Sequence, residues 1–180
     1  MESRSCNYFV FIALMMLFSV TNCYASCDEN YANKIAGVVQ KEKEKLSEYT
    51  ITQIPTSVVV AQNILESECG SSKAAKRKLN YYGLTAKSGK LMRFKSLEHS
   101  TQYYLRNIST HKAYKDVRRK IENGASYRNI VKSLSRRYAK DRDYAEKIID
   151  LVDMYDLQRF DETQLRIASR NWWVKNPLNI

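Results

Sequence analysis

Residues 54–83 read IPTSVVVAQNILESECGSSKAAKRKLNYYG, and their first half has the pattern of an apolar helix. Pro55 suits a first helical turn, and Thr56 and Ser57 offer hydroxyls to the free N–H groups there. Val58, Val59, Val60, Ala61, Ile64 and Leu65 leave almost no polar face, so this helix should be buried on most sides. Gly70 supplies a stop, and Ser71 or Ser72 a cap for a second helix over 73–79. Val59, Gln62 and Glu66 share one face by their i, i+3, i+7 spacing. Glu66 therefore lies one turn beyond an apolar surface, at the negative end of the helix dipole. Both surroundings disfavour ionisation and should raise its pKa. A carboxyl group still protonated near neutral pH suits general-acid chemistry on a glycosidic oxygen. An ordinary surface glutamate at a helix end fits the same spacing.

Working outward, residues 28–49 predict a helix with Tyr31, Ile35, Val38, Val39 and Leu46 inward and the KEKEK run at 41–45 in solvent. On the other side, LTAKSGKLMRF over 84–94 carries the one sheet signal, a hairpin turn at Ser88-Gly89. Ser96 caps a helix whose inner stripe is Leu97, Thr101, Tyr104, Leu105 and Ile108. Further helices follow over 113–123, stopped at Gly124, from Ser126 to Tyr138, and from Asp141 onward with Tyr144, Ile148, Leu151, Val152 and Tyr155 on the apolar face. The pattern predicts a mainly α, single-domain fold with a small β-hairpin lobe. No P-loop, dinucleotide fingerprint, CxxC or G-x-S-x-G is present, which disfavours the enzyme classes built on them.

Arg4 precedes an apolar run over 8–20 that falls short of the about 20 residues of a membrane helix. It suits a secretory signal cleaved after Ala25. Lipoprotein processing at Cys23 or Cys27 has a poor lipobox, and an uncleaved anchor is the remaining alternative. The expected division is a signal peptide over 1–25, a domain over 26–157, and a basic, Trp-containing extension over 158–180 that holds Trp172 and Trp173. Cleavage removes Arg4 and Glu2 and leaves the net charge at +11. An exported chain this basic should meet an anionic cell wall or membrane surface, not nucleic acid. It should be periplasmic or secreted, with lipid anchoring less favoured. Only Cys27 and Cys69 then remain, which predicts either a Cys27–Cys69 bridge or a buried free thiol at Cys69. His99 and His111 lack partners at metal-ligand spacing, so neither a metal nor a cofactor is expected.

The stretch over 61–84 resembles the signature of the glucosaminidase-domain family, the bacterial peptidoglycan hydrolases that include autolysins and Bax-like and flagellar-muramidase domains. That pattern runs roughly A-Q-A-x-x-E-S-x-W-G-x-S, a spacer, then N-x-F-G. It is matched by Ala61, Gln62, Glu66, Ser67, Gly70, Ser72, Asn80 and Gly83. Cys69 stands where the family usually has Trp, and Tyr82 where it has Phe. Two further blocks follow in family order, FKSLEHSTQYYLRNISTHKAY over 94–114 and YAKDRDYAEKI over 138–148.

The resemblance implies a lysozyme-like fold with the hairpin beside a cleft. It implies hydrolysis of β-1,4 bonds in peptidoglycan glycan strands, of the endo-β-N-acetylglucosaminidase type, by a monomer. Glu66 falls on the catalytic acid. Tyr138 is the better candidate for a catalytic phenol, and Tyr144 also approaches the cleft. Gln62, Asn80, Tyr82, Tyr103 and Tyr144 are the expected substrate contacts. The hairpin lobe of the family often carries a second carboxylate, and here it has none. Glu98, Glu68 or Asp141 would have to reach the site, or the N-acetyl group of the substrate would serve as nucleophile. A muramidase or lytic transglycosylase on the same fold, and an inactive wall-binding module, are the alternatives.

Overall fold

The computed structural model describes residues 27–46 and 54–161. The expectations for the signal peptide and for the Trp-containing extension lie outside these residues. Seven α-helices are found among them: α1 Glu29–Lys45, α2 Thr56–Ser67, α3 Lys73–Lys78, α4 Leu97–Thr110, α5 Lys115–Glu122, α6 Tyr127–Tyr138 and α7 Tyr144–Met154, with a 3-10 turn at Lys112–Tyr114. None is long and apolar enough to cross a membrane.

The apolar run at 58–65 does what its composition dictates. Helix α2 runs through the centre, with every residue from Thr56 to Ile64 buried. Helix α1 packs on α2 and α4, α2 packs on α7, and α7 packs on α6. Side chains from these helices, including Ile35, Val39, Val59, Leu105, Leu134, Ile148 and Leu151, fill one continuous core.

Both ends of α2 are fastened by residues from other elements. Pro55 offers no side-chain cap. Instead Asp161 accepts from the Ser57 N–H at 3.0 Å and from the Ser57 hydroxyl at 2.6 Å. A carboxylate there is also favoured by the positive end of the helix dipole. Lys43 donates to the Ile54 carbonyl at 2.5 Å and to the Thr56 hydroxyl at 3.0 Å. Thr56 and Ser57 therefore serve these long-range contacts rather than capping the helix themselves. The KEKEK run is not a wholly solvated face either: Glu42 and Lys43 are buried. Lys43 turns in to satisfy the entry of α2, and Glu42 accepts from Lys45 at 2.5 Å.

At the other end the chain leaves the helix early. Glu68, Cys69 and Gly70 all have positive φ, 49°, 55° and 79°. Only Gly70 adopts that region without steric cost. The turn is held by the Ser67 hydroxyl, which accepts from the Gly70 N–H at 2.8 Å, and by a Cys27–Cys69 disulfide with Cα atoms 5.5 Å apart. Tyr31 from α1 adds to this clasp, donating to Asn63 at 2.7 Å and lying 2.9 Å from the Ser67 hydroxyl.

The expected hairpin lobe is reduced to less than a pair of strands. Residues 84–92 form one antiparallel bridge, Thr85 to Leu91, with Met92 N–H donating to Leu84 C=O and Ala86 N–H to Lys90 C=O, each at 2.9 Å. No strand is found among the described residues. The flanks of Ser88-Gly89 are short and, from Thr85 to Leu91, exposed, so little holds a longer ladder together.

Candidate active site

Glu66 stands in the last turn of α2, half-buried. The face it shares with Gln62 points toward tyrosines from three other elements. Tyr144, at the start of α7, donates its hydroxyl proton to Glu66 Oε1 at 2.8 Å. The Tyr144 oxygen accepts from Gln62 Nε2 at 3.1 Å. Gln62 Oε1 in turn accepts from the hydroxyl of Tyr104 on α4. The second carboxylate oxygen lies against Gly83, where a Cβ would sit only 2.5 Å from Oε2. Gly83 has φ +61° and follows α3 in the loop that returns to the site.

Burial pushes the Glu66 carboxyl above the usual carboxylate range, and the hydrogen bond from Tyr144 partly opposes that rise. The direction is the one the helix end and apolar surroundings predict. Burial also raises the phenols. Tyr82 is pushed up to about 12, and Tyr104, Tyr138 and Tyr144 rise well above the usual tyrosine range, with Glu66 adding to the rise in those three. They are therefore neutral hydrogen-bonding groups, not phenolate nucleophiles.

The rings form a wall. Tyr138 stacks on Tyr144 with centroids 5.7 Å apart and meets Tyr104 edge-on at 6.0 Å. Tyr104 stacks on Tyr82 at 4.4 Å. Tyr138 donates its proton to the Tyr82 carbonyl. It therefore reaches the loop beside Gly83, while Tyr144, the less favoured of the two in the sequence, holds the Glu66 carboxyl group.

Four of the five expected substrate contacts sit inside the protein, Tyr144 among them. Gln62 and Tyr82 are fully buried, Tyr82 bonding Thr101 at 3.1 Å. Asn80 is fully buried as well. It donates to Leu84 C=O at 2.8 Å and Met92 C=O at 3.0 Å, and accepts from Leu84 N–H at 3.0 Å. Asn80 closes the loop that carries Gly83. A motif position reveals which residue type is needed but not which way it faces. Tyr103 differs: it is 40 % exposed, propped at 5.6 Å against Phe94. Tyr104 and the reason for Gly83 escaped the sequence reading. Tyr104 belongs to an apolar helical stripe, and nothing local marks its hydroxyl.

Two of the three candidates for a second carboxylate are engaged elsewhere. Asp141 accepts from Lys147 at 2.6 Å and from Asp143 N–H at 2.9 Å. Glu98 is held below the usual carboxylate range by its own backbone N–H and by Ser96 at the start of α4. Glu68 is exposed at the exit of α2.

The family model "Glucosaminidase: Mannosyl-glycoprotein endo-beta-N-acetylglucosaminidase" matches residues 45–157. An N-acetylmuramoyl-L-alanine amidase domain-containing protein of Staphylococcus aureus is 32% identical over 137 residues, 62% of this chain and 22% of that protein. The exo-glucosaminidase LytG of Bacillus subtilis is 31% identical over 140 residues, 63% of this chain and 48% of that protein. The chain thus spans less than half the length of these relatives. Among solved structures, an N-acetylmuramoyl-L-alanine amidase from Staphylococcus aureus superposes with TM-score 0.62 at 23% identity, over 74% of this chain and 43% of that one. The catalytic domain of the autolysin Auto from Listeria monocytogenes gives 0.60 at 20% identity, over 89% of this chain and all of that one. Both likenesses concern the fold.

Proposed function

The chain belongs to the glucosaminidase family, and from that premise we propose that it is an exported peptidoglycan hydrolase of the endo-β-N-acetylglucosaminidase type, with Glu66 as its general acid. One observation carries this reading. Glu66 is a half-buried carboxyl group with its pKa raised, Oε1 held by Tyr144 and Oε2 against a glycine. Such a group holds its proton to higher pH than a free carboxyl group does, which suits it to delivering that proton to a glycosidic oxygen.

Glu98, Glu68 and Asp141 are occupied or exposed, which favours the acetamido group of the substrate as nucleophile. Its carbonyl oxygen attacks C1 as Glu66 passes its proton to the leaving oxygen. Water then opens the cyclic intermediate and returns a proton to Glu66. Tyr144 and Tyr138 order the acid and its loop, and exposed Tyr103 offers a ring for a sugar to stack on.

Residues 69–97 contain no acidic side chain and carry Lys73, Lys76, Arg77, Lys78, Lys87, Lys90, Arg93 and Lys95. This segment suits contact with an anionic wall, and the disulfide suits an oxidising compartment outside the cytoplasm.

The test is digestion of purified peptidoglycan by residues 26–180 beside Glu66→Gln, with mass analysis of the fragments. The native protein should release internal fragments ending in reducing N-acetylglucosamine, and the variant at least about 100-fold less. Reducing N-acetylmuramic acid or anhydro ends would assign a different bond or outcome. Disaccharides released only from strand ends would make the action exo, as the name of the Bacillus relative says of that protein.

A further inference from the structure

We infer that Tyr104 is a positioning residue for Glu66, acting through Gln62 and Tyr144 to fix which carboxyl oxygen accepts and which carries the acidic proton. The inference rests on the reading of Glu66 as the acid. An ionised carboxylate has no proton, so at the 2.8 Å contact Tyr144 must be the donor. Tyr144 has one proton and has now used it, so its oxygen is an acceptor for Gln62. Gln62 must then turn its NH2 toward Tyr144 and its carbonyl the other way. That carbonyl is fully buried, and the Tyr104 hydroxyl supplies its donor.

The three bonds run in one direction: Tyr104 to Gln62, Gln62 to Tyr144, Tyr144 to Glu66. The reverse direction would leave the Tyr104 proton without an acceptor among the described residues. That is costly for a hydroxyl with no access to water. Oε1 is therefore an acceptor in both protonation states of Glu66. The acidic proton resides on Oε2, the oxygen beside Gly83.

Removing the Tyr104 hydroxyl takes away the constraint at the far end. The Gln62 amide is then free to present its carbonyl to Tyr144, which turns the Tyr144 proton away from Glu66. The ionised form of Glu66 loses a donor that favours it, and its titration moves upward. The titratable groups facing this site are tyrosines: Tyr144 on α7, Tyr138 on α6, Tyr104 on α4 and Tyr82 beneath it, with Tyr114 behind. None of them ionises below the alkaline range, so a shift near neutral pH reports Glu66.

The experiment uses residues 26–180 and reads the Glu66 carboxyl carbon by 13C NMR, assigned with Glu66→Gln. It also records the alkaline limb of kcat/KM on peptidoglycan. Tyr104→Phe keeps the ring that stacks on Tyr82. Its titration and alkaline limb should both rise by about one pH unit, with kcat/KM down about tenfold. Tyr144→Phe should show the same upward displacement, and the double variant no more than Tyr144→Phe alone. Gln62→Met leaves no carbonyl to draw the Tyr144 proton away, so Tyr144 keeps donating to Glu66 and the titration should stay close to native. A native titration in Tyr104→Phe, an upward displacement in Gln62→Met, or additive shifts in the double variant, overturns the proposal. If Glu66 were not the acid, Glu66→Gln would stay active while the NMR titration still reported on the chain of bonds.

Discussion

At Gly83 the absent side chain is space that the Glu66 carboxyl group uses. Alanine there would put a Cβ 2.5 Å from Oε2 and 3.3 Å from Cδ, at a φ of +61° that alanine adopts only with strain. The carboxyl group would have to move, and a displacement of about 1 Å at a reacting group costs on the order of 100-fold in rate. Gly83→Ala should therefore lower kcat/KM by about that factor and stability by about 1–2 kcal/mol. Steady-state kinetics beside thermal unfolding separates the two effects, and native kinetics would show that Oε2 is free to relocate. The place of Glu66 at the end of a buried helix was legible in the sequence, because helix spacing and helix ends are local properties. The partner of Oε2 was not, because a loop brings it back from beyond α3. Gln62 and Asn80 were visible as important types, but their buried hydrogen bonds were not, since these depend on elements far along the chain.

Helix α2 is pinned at its entry and its exit, and each pin makes a prediction. At the entry, burial pushes the Lys43 ammonium down to about 7, with Asp161 opposing the shift. An unfolded lysine titrates near about 10.4, so between these values the unfolded chain binds more protons. The burial penalty is therefore present in full below about pH 7, and stability should rise with pH from there into the alkaline range. Lys43→Met should flatten that rise, measured by urea unfolding at several pH values. An unchanged slope would place the charge change elsewhere. At the exit, the Cys27–Cys69 bridge spans 42 residues of sequence. Closing a loop of that size is worth about 4 kcal/mol. Reductant, or Cys27→Ser, should lower unfolding free energy toward that extent, and unreduced protein should titrate with neither thiol free. The elements themselves were largely legible, because apolar periodicity and caps such as Ser72 and Ser96 act within a turn. The buried face of KEKEK was not, because Lys43 answers a carbonyl that the sequence does not place beside it.

For the molecule as a whole, charge is distributed with direction. The ion pairs among the described residues join Glu42, Asp116, Asp153, Asp141 and Glu29 to their cations. None of these pairs involves the cations of residues 73–95. That segment begins just after the exit of α2 and carries Gly83 to Glu66, so its positive charge lies on the chain that reaches the candidate site. The sequence showed this charge, although it also promised a hairpin lobe that the short, exposed flanks of Ser88-Gly89 do not sustain. A field of this kind acts through solvent and is set by ionic strength. Raising salt from about 0.1 M to 1 M shortens the Debye length from about 10 Å to about 3 Å. Binding to peptidoglycan that retains its acidic peptides should weaken severalfold, raising KM with little change in kcat. A neutral N-acetylglucosamine oligomer should be hydrolysed alike at both salt levels. Lys87→Glu with Lys90→Glu, both exposed, should lower the salt sensitivity and leave kcat intact. If the double reversal left the salt response unchanged, the attraction to the wall would reside in the other cations of the chain. If kcat fell with KM unchanged, the segment would act on the geometry of Gly83 rather than on the approach of substrate.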